Sequence, residues 1–337
     1  MANLIVSVPT QETAEYDLYL KPYLNDPQIQ SLPFDFMVGA FKNRELYFNT
    51  QLDKIASKKV ACGWNFVGGT NFAKKTLSPV EIEAATEQCY IPLINTIFAD
   101  GLPTGWQRGE LSPEVVSYMA DMRGYAFNRD MLTIAFLGDE ASSNPYYAIK
   151  DGIYKKLKAG SVTPSFTGDD LVVDAGALNA TNLNATNFFT TMKAVYDAQP
   201  RLLRNVPKAN KAWIWTESVY DLYLNYLYVT TQTNAGVIQR ESITDGLDAA
   251  QFLGIPIVVV PIVDERLEED FTQSGITEDP YRVILTEPSN HKILMDADGI
   301  LKTNSWYEKK DDKYYMAGSC LFDYEFGYGA LNVIAGF

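Results

Sequence analysis

One stretch constrains the fold of this chain more than any other: SPEVVSYMADMRGYAFNRDMLTIAFLG, residues 112–138. Ser112 followed by Pro113 is a helix start, Glu114 puts a negative charge in the first turn, and Gly138 supplies the stop. Val115, Met119, Met122, Ala126, Arg129 and Thr133 recur at three- and four-residue spacing, with Tyr118, Tyr125, Leu132 and Phe136 beside them. That spacing predicts one unbroken helix from about Ser112 to Leu137, on the order of 37–39 Å long at 1.5 Å per residue. Asp121, Asn128 and Asp130 keep other sides polar, so the helix is expected as a spine laid against a sheet.

The rest of the chain says what kind of sheet. A second helix is expected from Tyr146 to Lys158. A third, capped by Asn184 or Thr186, is expected to reach Ala198 and end at Pro200. KAWIWT (residues 211–216) reads as a buried strand, the run from Glu217 as a helix, and GIPIVVV (254–260) as the next strand, which is α/β logic. The last third reads as strands: YRVILTE, HKILMD, an Asp298–Gly299 turn, a polar KKDDK turn, and YYMAGSCLFDYEFGYGALNVI. Before the spine, residues 1–41 read as an extended arm with one short helix near Glu12–Leu20. A strand-like stretch runs from Leu77 towards Ile97.

Charge divides the chain unevenly. It carries 28 Lys and Arg against 42 Asp and Glu, net −14, which argues against gripping nucleic acid by phosphate neutralisation. Yet Lys42, Arg44, Lys54, Lys58, Lys59, Lys74 and Lys75 face only Glu45 and Asp53 over residues 42–75. Its middle, ACGWNFVGGTNF, breaks strand-like residues with glycines and suits a long hairpin. Asp264, Glu265, Glu268, Glu269 and Asp270 form the opposite block, expected as a solvated loop or docking surface.

The sequence carries no signature of catalytic or metal chemistry. Nucleotide loops of the GxxxxGK[ST] and GxGxxG types are missing, and so is GxSxG. One histidine, His291, reads as a polar turn or rim residue. Cys62, Cys89 and Cys320 lie too far apart for a zinc cluster or a disulfide framework, which fits a reducing cytoplasm. The N-terminus lacks a basic n-region and no stretch of eighteen apolar residues occurs, so neither a signal peptide nor a membrane span is expected. Asn179 and Asn184 open N-A-T triplets, read as chance matches to a glycosylation motif. No enzyme and no cofactor is expected.

The order of elements resembles the major capsid proteins of tailed phages, the Hong Kong ninety-seven type fold. Residues 112–153 resemble that family's spine helix and its exit, through Asp130, Phe136, Leu137, Gly138, Asp139, Pro145 and Gly152. FLGIPIVVVPIVDE is similar to its Leu-Gly-x-Pro-Val strand, with Leu253, Gly254, Pro256, Val258 and Pro261 in place. The segments around KAWIWT and from YRVILTE onward are similar to its axial-domain entry and closing β-run. The resemblance covers roughly residues 42–337.

It implies an α+β chain: an N-terminal arm (1–41), an extended β-hairpin loop (42–76), a peripheral domain with the long spine helix (77–160 and 281–325), and an axial domain (161–280 and 326–337). It implies a shell protein that assembles with copies of itself as hexamers and pentamers. Scaffolding, portal and head-decoration proteins are the further partners, and double-stranded DNA is enclosed without sequence-specific binding or membrane contact. The location implied is the virion, with assembly in the host cytoplasm. A separate scaffolding protein and a processed longer precursor stay open, since no scaffolding segment precedes the arm. Lys54, Lys58, Lys59, Lys74 and Lys75 are available for the isopeptide bond some members form, but no matching Asn is singled out. The reading from a different class is a cytosolic carbohydrate-active or carbohydrate-binding protein, suggested by the aromatics and the many carboxylates.

Overall fold

The computed structural model describes residues 32–38, 43–49, 72–89, 113–166, 170–233, 251–270, 280–295 and 304–337. The expected helix near Glu12–Leu20 and, but for Phe72, the ACGWNFVGGTNF segment lie outside them. The elements are β1 (Asp35–Val38), β2 (Arg44–Asn49), β3 (Phe72–Leu77), β4 (Val80–Cys89), α1 (Pro113–Leu137), α2 (Ile153–Val162), β5 (Val173–Asp174), α3 (Phe188–Asp197), α4 (Arg201–Asn205), β6 (Ala212–Trp215), α5 (Glu217–Thr233), β7 (Gln251–Phe252), β8 (Ile255–Val259), α6 (Pro261–Asp270), β9 (Val283–Thr286), β10 (His291–Met295), β11 (Asn304–Glu308), β12 (Lys313–Phe326) and β13 (Asn332–Ala335).

The first sheet is built on β12. Its N-terminal half pairs with β11 and its C-terminal half with β10, while β4 runs antiparallel along the other side from Cys89↔Lys313 to Val80↔Phe322. β1 joins parallel to β10. The second sheet has the order β5-β13-β9-β6-β8-β7, and its central strands are buried on both faces. Ile214, Ile284 and Ile334 point into one core with α1, α2 and α6. Their neighbours Trp213, Trp215, Val283, Leu285, Val333 and Ala335 point into the other, with α3 and α5. Strands enclosed in this way carry apolar residues on both sides of the pleat, hence the uninterrupted apolar runs. Val283–Thr286, which the resemblance groups with residues 77–160, is hydrogen-bonded in this second sheet between β6 and β13.

The spine helix α1 has the expected bounds, but the expected stripe is not the one it buries. Arg123, Phe127 and Met131 face inward at four-residue spacing, whereas Ala126 is exposed; from Met131 to Leu137 every residue is buried. The middle of the helix meets the first sheet, with the Arg123 guanidinium donating to Ala84 O and Phe127 and Met131 sharing a core with Ile82 and Phe322. The C-terminal turns sit inside the core, where a one-sided stripe no longer applies.

The helix expected at Tyr146–Lys158 begins only at Ile153. Asn144 Oδ1 accepts from Tyr146 N at 3.0 Å and holds residues 144–148 in turns, the usual competition of Asn with helix. Gly138 N donates to Ile134 O to close α1, and Gly152 N donates to Gly138 O at 2.8 Å. The two backbones touch. A Cβ on Gly152 would lie 2.8 Å from Gly138 N and 2.9 Å from Ala135 O. Gly152→Ala is therefore expected to cost about 1–3 kcal/mol by overpacking. Gly124→Ala, with nothing within 4 Å of the added Cβ, should stabilise α1 by up to about 1 kcal/mol. Urea midpoints of the two variants should move in opposite directions.

Pro200 does not only end α3: it is the N-cap of α4. The asparagines of the N-A-T triplets hold tight turns, which leaves the reading of the triplets as chance matches to a glycosylation motif untouched. Asn179 Oδ1 accepts from Thr181 N and Asn182 N while Asn182 Oδ1 accepts from Asn179 N, and Asn184 and Asn187 repeat the pattern with Thr186 N. These reciprocal bonds close the turns ahead of α3, whose N-cap is Asn187, with no side-chain capping bond, rather than the expected Asn184 or Thr186.

His291 is fully buried rather than on a rim. Nε2 lies 2.9 Å from Asn332 Oδ1, and the Asn332 amide donates to Tyr328 O at 2.9 Å, so its oxygen faces the ring. Nε2 therefore carries the proton and Nδ1 accepts from the Tyr324 hydroxyl at 2.7 Å. Thr286 Oγ1 completes the group, 2.7 Å from both Nε2 and Asn332 Oδ1. His291 and Tyr324 belong to the first sheet, Thr286 and Asn332 to the second, so this network joins the two.

Candidate assembly surface

Antiparallel pairing of β2 with β3, from Arg44↔Leu77 to Asn49↔Phe72, makes the two stems of a hairpin. One side is exposed: Lys74 Nζ lies 2.7 Å from Glu45 Oε1, and Tyr47 donates to the same carboxylate. The Lys74 hydrogen bond, then that of Tyr47, holds the Glu45 carboxyl below its ordinary value. The other side is anchored. Leu46 and Leu77 pack on Leu294 with Met37 and Phe48.

Lys75 is the anchor's polar part. Its ammonium donates to Phe326 O at 2.7 Å, lies 3.2 Å from Glu325 Oε1 and 3.3 Å from Ser165 Oγ, and sits 4.0 Å above the Phe326 ring. Burial pulls its pKa down, and Glu325 opposes the shift. Glu325 also meets Lys156 at 3.2 Å. Asp323, almost fully buried, lies 3.7 Å from Lys156 and 3.9 Å from Lys150 and accepts from Ser78 N at 2.6 Å. An alternating ladder of charges thus ties the hairpin root and α2 to the end of β12. The sequence reading missed it, although acids at 323 and 325 inside an aromatic strand, FDYEF, are the signal that could have found it.

The acidic block is not a loop. It is α6, opened by Pro261 at its first position, with Ile262, Val263 and Leu267 buried. Asp264 is buried too, because its carboxylate accepts from Glu217 N and Ser218 N and caps α5. Burial raises its pKa to about 6, against those hydrogen bonds. Glu265 pairs with Arg129 on the spine helix. Glu268 is exposed, and Glu269 and Asp270 complete the last turn. Arg44 is exposed on β2; Lys42, Lys54, Lys58 and Lys59 lie outside the described residues. Lys75 and Asp264 are thus engaged inside the chain and with different partners. Of the two charged blocks, Arg44 and Glu268 are exposed at described positions, beside the Lys74–Glu45 pair.

Among the described residues no three His, Cys, Asp or Glu side chains come together in a way that could hold a metal ion, and no helix is long and apolar enough to cross a membrane. Cys89 is exposed and Cys320 is buried beside Met131.

No family model matches the sequence, and no curated protein matches it. Solved structures do. The satellite phage P4 procapsid, which includes its size determination protein, matches with a TM-score of 0.55 at 14% identity, covering 98% of this chain and 93% of that chain. The capsid of the cyanophage P-SCSP1u matches with a TM-score of 0.55 at 9% identity, covering 99% and 92%. The fold is that of phage capsid proteins. The capsid of the Myoviridae phage XM1 shows the same phage-capsid fold, with a TM-score of 0.55 at 11% identity over 91% of this chain and 90% of that chain. These capsid structures lend the carbohydrate reading no support. At such identities the likeness lies in how sheets and helices are arranged, and the ladder on β12 and the His291 network are details of this chain within the phage-capsid fold.

Proposed function

We propose that this chain is the major capsid protein of a tailed bacteriophage, which assembles into an icosahedral shell around double-stranded DNA. One observation carries the reading: the likeness to phage capsids runs through nearly the whole of both chains compared. A motif shared with a larger, unrelated protein would leave much of one chain uncovered. The role is structural rather than catalytic.

On this reading the first sheet with α1 belongs to the peripheral domain and the second sheet with α3 to α6 to the axial domain. Val283–Thr286 then goes with the axial domain, and the peripheral part resumes at His291. Residues 1–41 are the arm and 42–76 the extended loop, whose stems are β2 and β3. A projecting hairpin leaves strand edges that a neighbouring copy covers. Repeated head-to-tail contacts of this kind close into rings of six and five. Scaffolding, portal and head-decoration proteins are the partners such a shell uses. The subunit is assembled in the host cytoplasm and ends in the virion. With a net charge of −14 it encloses DNA without reading its sequence, and a sequence-dependent gel shift would contradict this.

The basic hairpin and the exposed face of α6 are proposed to meet between copies. Exposed pairs contribute about 0–1 kcal/mol each and are screened beyond roughly 8–10 Å at physiological salt, so the effect belongs in assembly rate and salt dependence. Reversing Lys58 and Lys59 to Glu should slow assembly, followed by light scattering, and reversing Glu268 and Glu269 to Lys in the same chain should restore part of the rate. Independent effects with no rescue would show that the segments do not meet. The function as a whole is tested by co-expressing the chain with a scaffolding protein and imaging the sedimented fraction in negative stain. Closed particles are expected, and a chain that sediments only as a monomer would sink the reading.

A further inference from the structure

Where α3 ends, the chain turns through α4 and residues 208–210 into β6, and a cleft of about 470 Å³ opens there, lined by Tyr196, Asp197, Gln199, Arg204 and Lys211. That volume lies within the range of about 300–1,000 Å³ typical of small-molecule sites. Lys211 is the unusual member. It is only 3% exposed, and its ammonium carries three donors. One donor goes to Gln199 Oε1 at 2.8 Å, and the Gln199 amide is itself fixed by donating to Tyr196 O at 2.7 Å. The partner is neutral. A buried ammonium without an opposite charge is costly.

The surroundings add positive charge. Arg204 donates through Nη2 to Asp197 O, which leaves the rest of its guanidinium fork at the cleft. Lys208 donates to Leu253 O at 2.8 Å and lies 5.7 Å above the Tyr196 ring. The one carboxylate in the lining, Asp197, pairs with Lys193. Burial, and then the nearby Lys208, lower the pKa of Lys211, as expected of an ammonium whose hydrogen-bond partner among the described residues is a neutral amide.

We propose that this cleft binds a small oxyanion of the phosphate class, with Lys211 at its floor and Arg204 at its rim. The inference does not depend on shell formation. Phosphate of this kind has two sources, free phosphate and the backbone of nucleic acid, and both present the same oxygens to the two cations.

Calorimetric titration of inorganic phosphate into the full chain, at constant ionic strength with chloride as control, tests it. Saturable binding is expected, weakened about tenfold in Lys211→Met and in Arg204→Gln, the loss expected when one hydrogen bond to a charged group is removed. Arg204 is exposed, so its variant keeps the test decisive if Lys211→Met fails to fold. A duplex oligonucleotide that binds, is displaced by phosphate and is weakened by both variants identifies the backbone as the source. Phosphate binding that the duplex does not compete for identifies the free anion. No saturable phosphate binding, or equal binding in wild type and the folded variants, overturns the proposal.

Discussion

Cutting Trp215 back to alanine is expected to remove about 3–5 kcal/mol of stability, the usual cost of deleting a large buried aromatic. Trp215 is fully buried on the face of the second sheet that meets α3 and α5. Its ring centroid lies 5.9 Å from that of Phe188, 5.6 Å from Tyr223, 5.8 Å from Phe252 and 5.8 Å from Trp213, so its removal opens a cavity among four rings that cannot all close in. Its indole N–H has no hydrogen-bond partner among the described residues; Trp215→Phe discards an unmet donor and should cost much less. Trp306, 46% exposed and stacked on Tyr315, supplies the contrast, with an expected loss of about 0.2–1 kcal/mol on truncation. Urea unfolding of the unassembled subunit measures all three. Equal midpoints for Trp215→Ala and Trp306→Ala would contradict the doubly buried second sheet.

The second large effect concerns pH. Burial pulls the His291 pKa from 6.5 to about 3, and the hydrogen bond that Nε2 donates to Asn332 Oδ1 only partly opposes it. Above pH 6.5 the ring is neutral in both folded and unfolded chains, and it adds no pH dependence. Below 6.5 the unfolded chain takes up a proton that the folded chain refuses. Stability then falls by about 1.4 kcal/mol per pH unit until about pH 3. Asp264 acts in the opposite sense. Its raised value, about 6 against 3.8, means the folded chain holds that proton more tightly, so its contribution rises as pH falls from 6 to 3.8. The two slopes largely cancel over that window, and the whole-protein curve would mislead. The difference between wild type and His291→Gln isolates the histidine. That difference should be flat from pH 8 to 7 and should move against wild type by about 2 kcal/mol between pH 7 and 5. A flat difference down to pH 5 would show that His291 is not a neutral buried bridge.

What could be read in the sequence followed local chemistry. The bounds of the spine helix were legible because Ser112–Pro113 and Gly138 are local signals, and the KAWIWT strand because its apolar run is short and bracketed by Lys211 and Glu217. What lay beyond reach was decided over distance. His291 meets Tyr324 and Asn332, far along the chain, and nothing beside it announces burial. The face that α1 buries was misjudged because its last turns are enclosed on all sides, where periodicity carries no information. Asp264 looked like one acid in a solvated run, but α5 places its N-terminus against it. A better reading was available there: Pro261 opens the segment, and Ile262, Val263 and Leu267 follow at helical spacing. For the candidate surface, the sequence identified the charged blocks but could not tell which charges the fold itself consumes. Lys75 is taken by the ladder on β12, Asp264 by the cap on α5 and Glu265 by Arg129.

On the proposed function, this fold exists to be repeated. Cryo-electron microscopy of particles purified after co-expression with a scaffolding protein tests it most directly. Closed icosahedral shells of rings of five and six are expected, each subunit fitted by the two sheets and the long helix described above, with the hairpin of residues 42–76 lying across a neighbouring copy. Particles whose shell density cannot hold this chain, or a chain that stays monomeric beside empty scaffold, would contradict it.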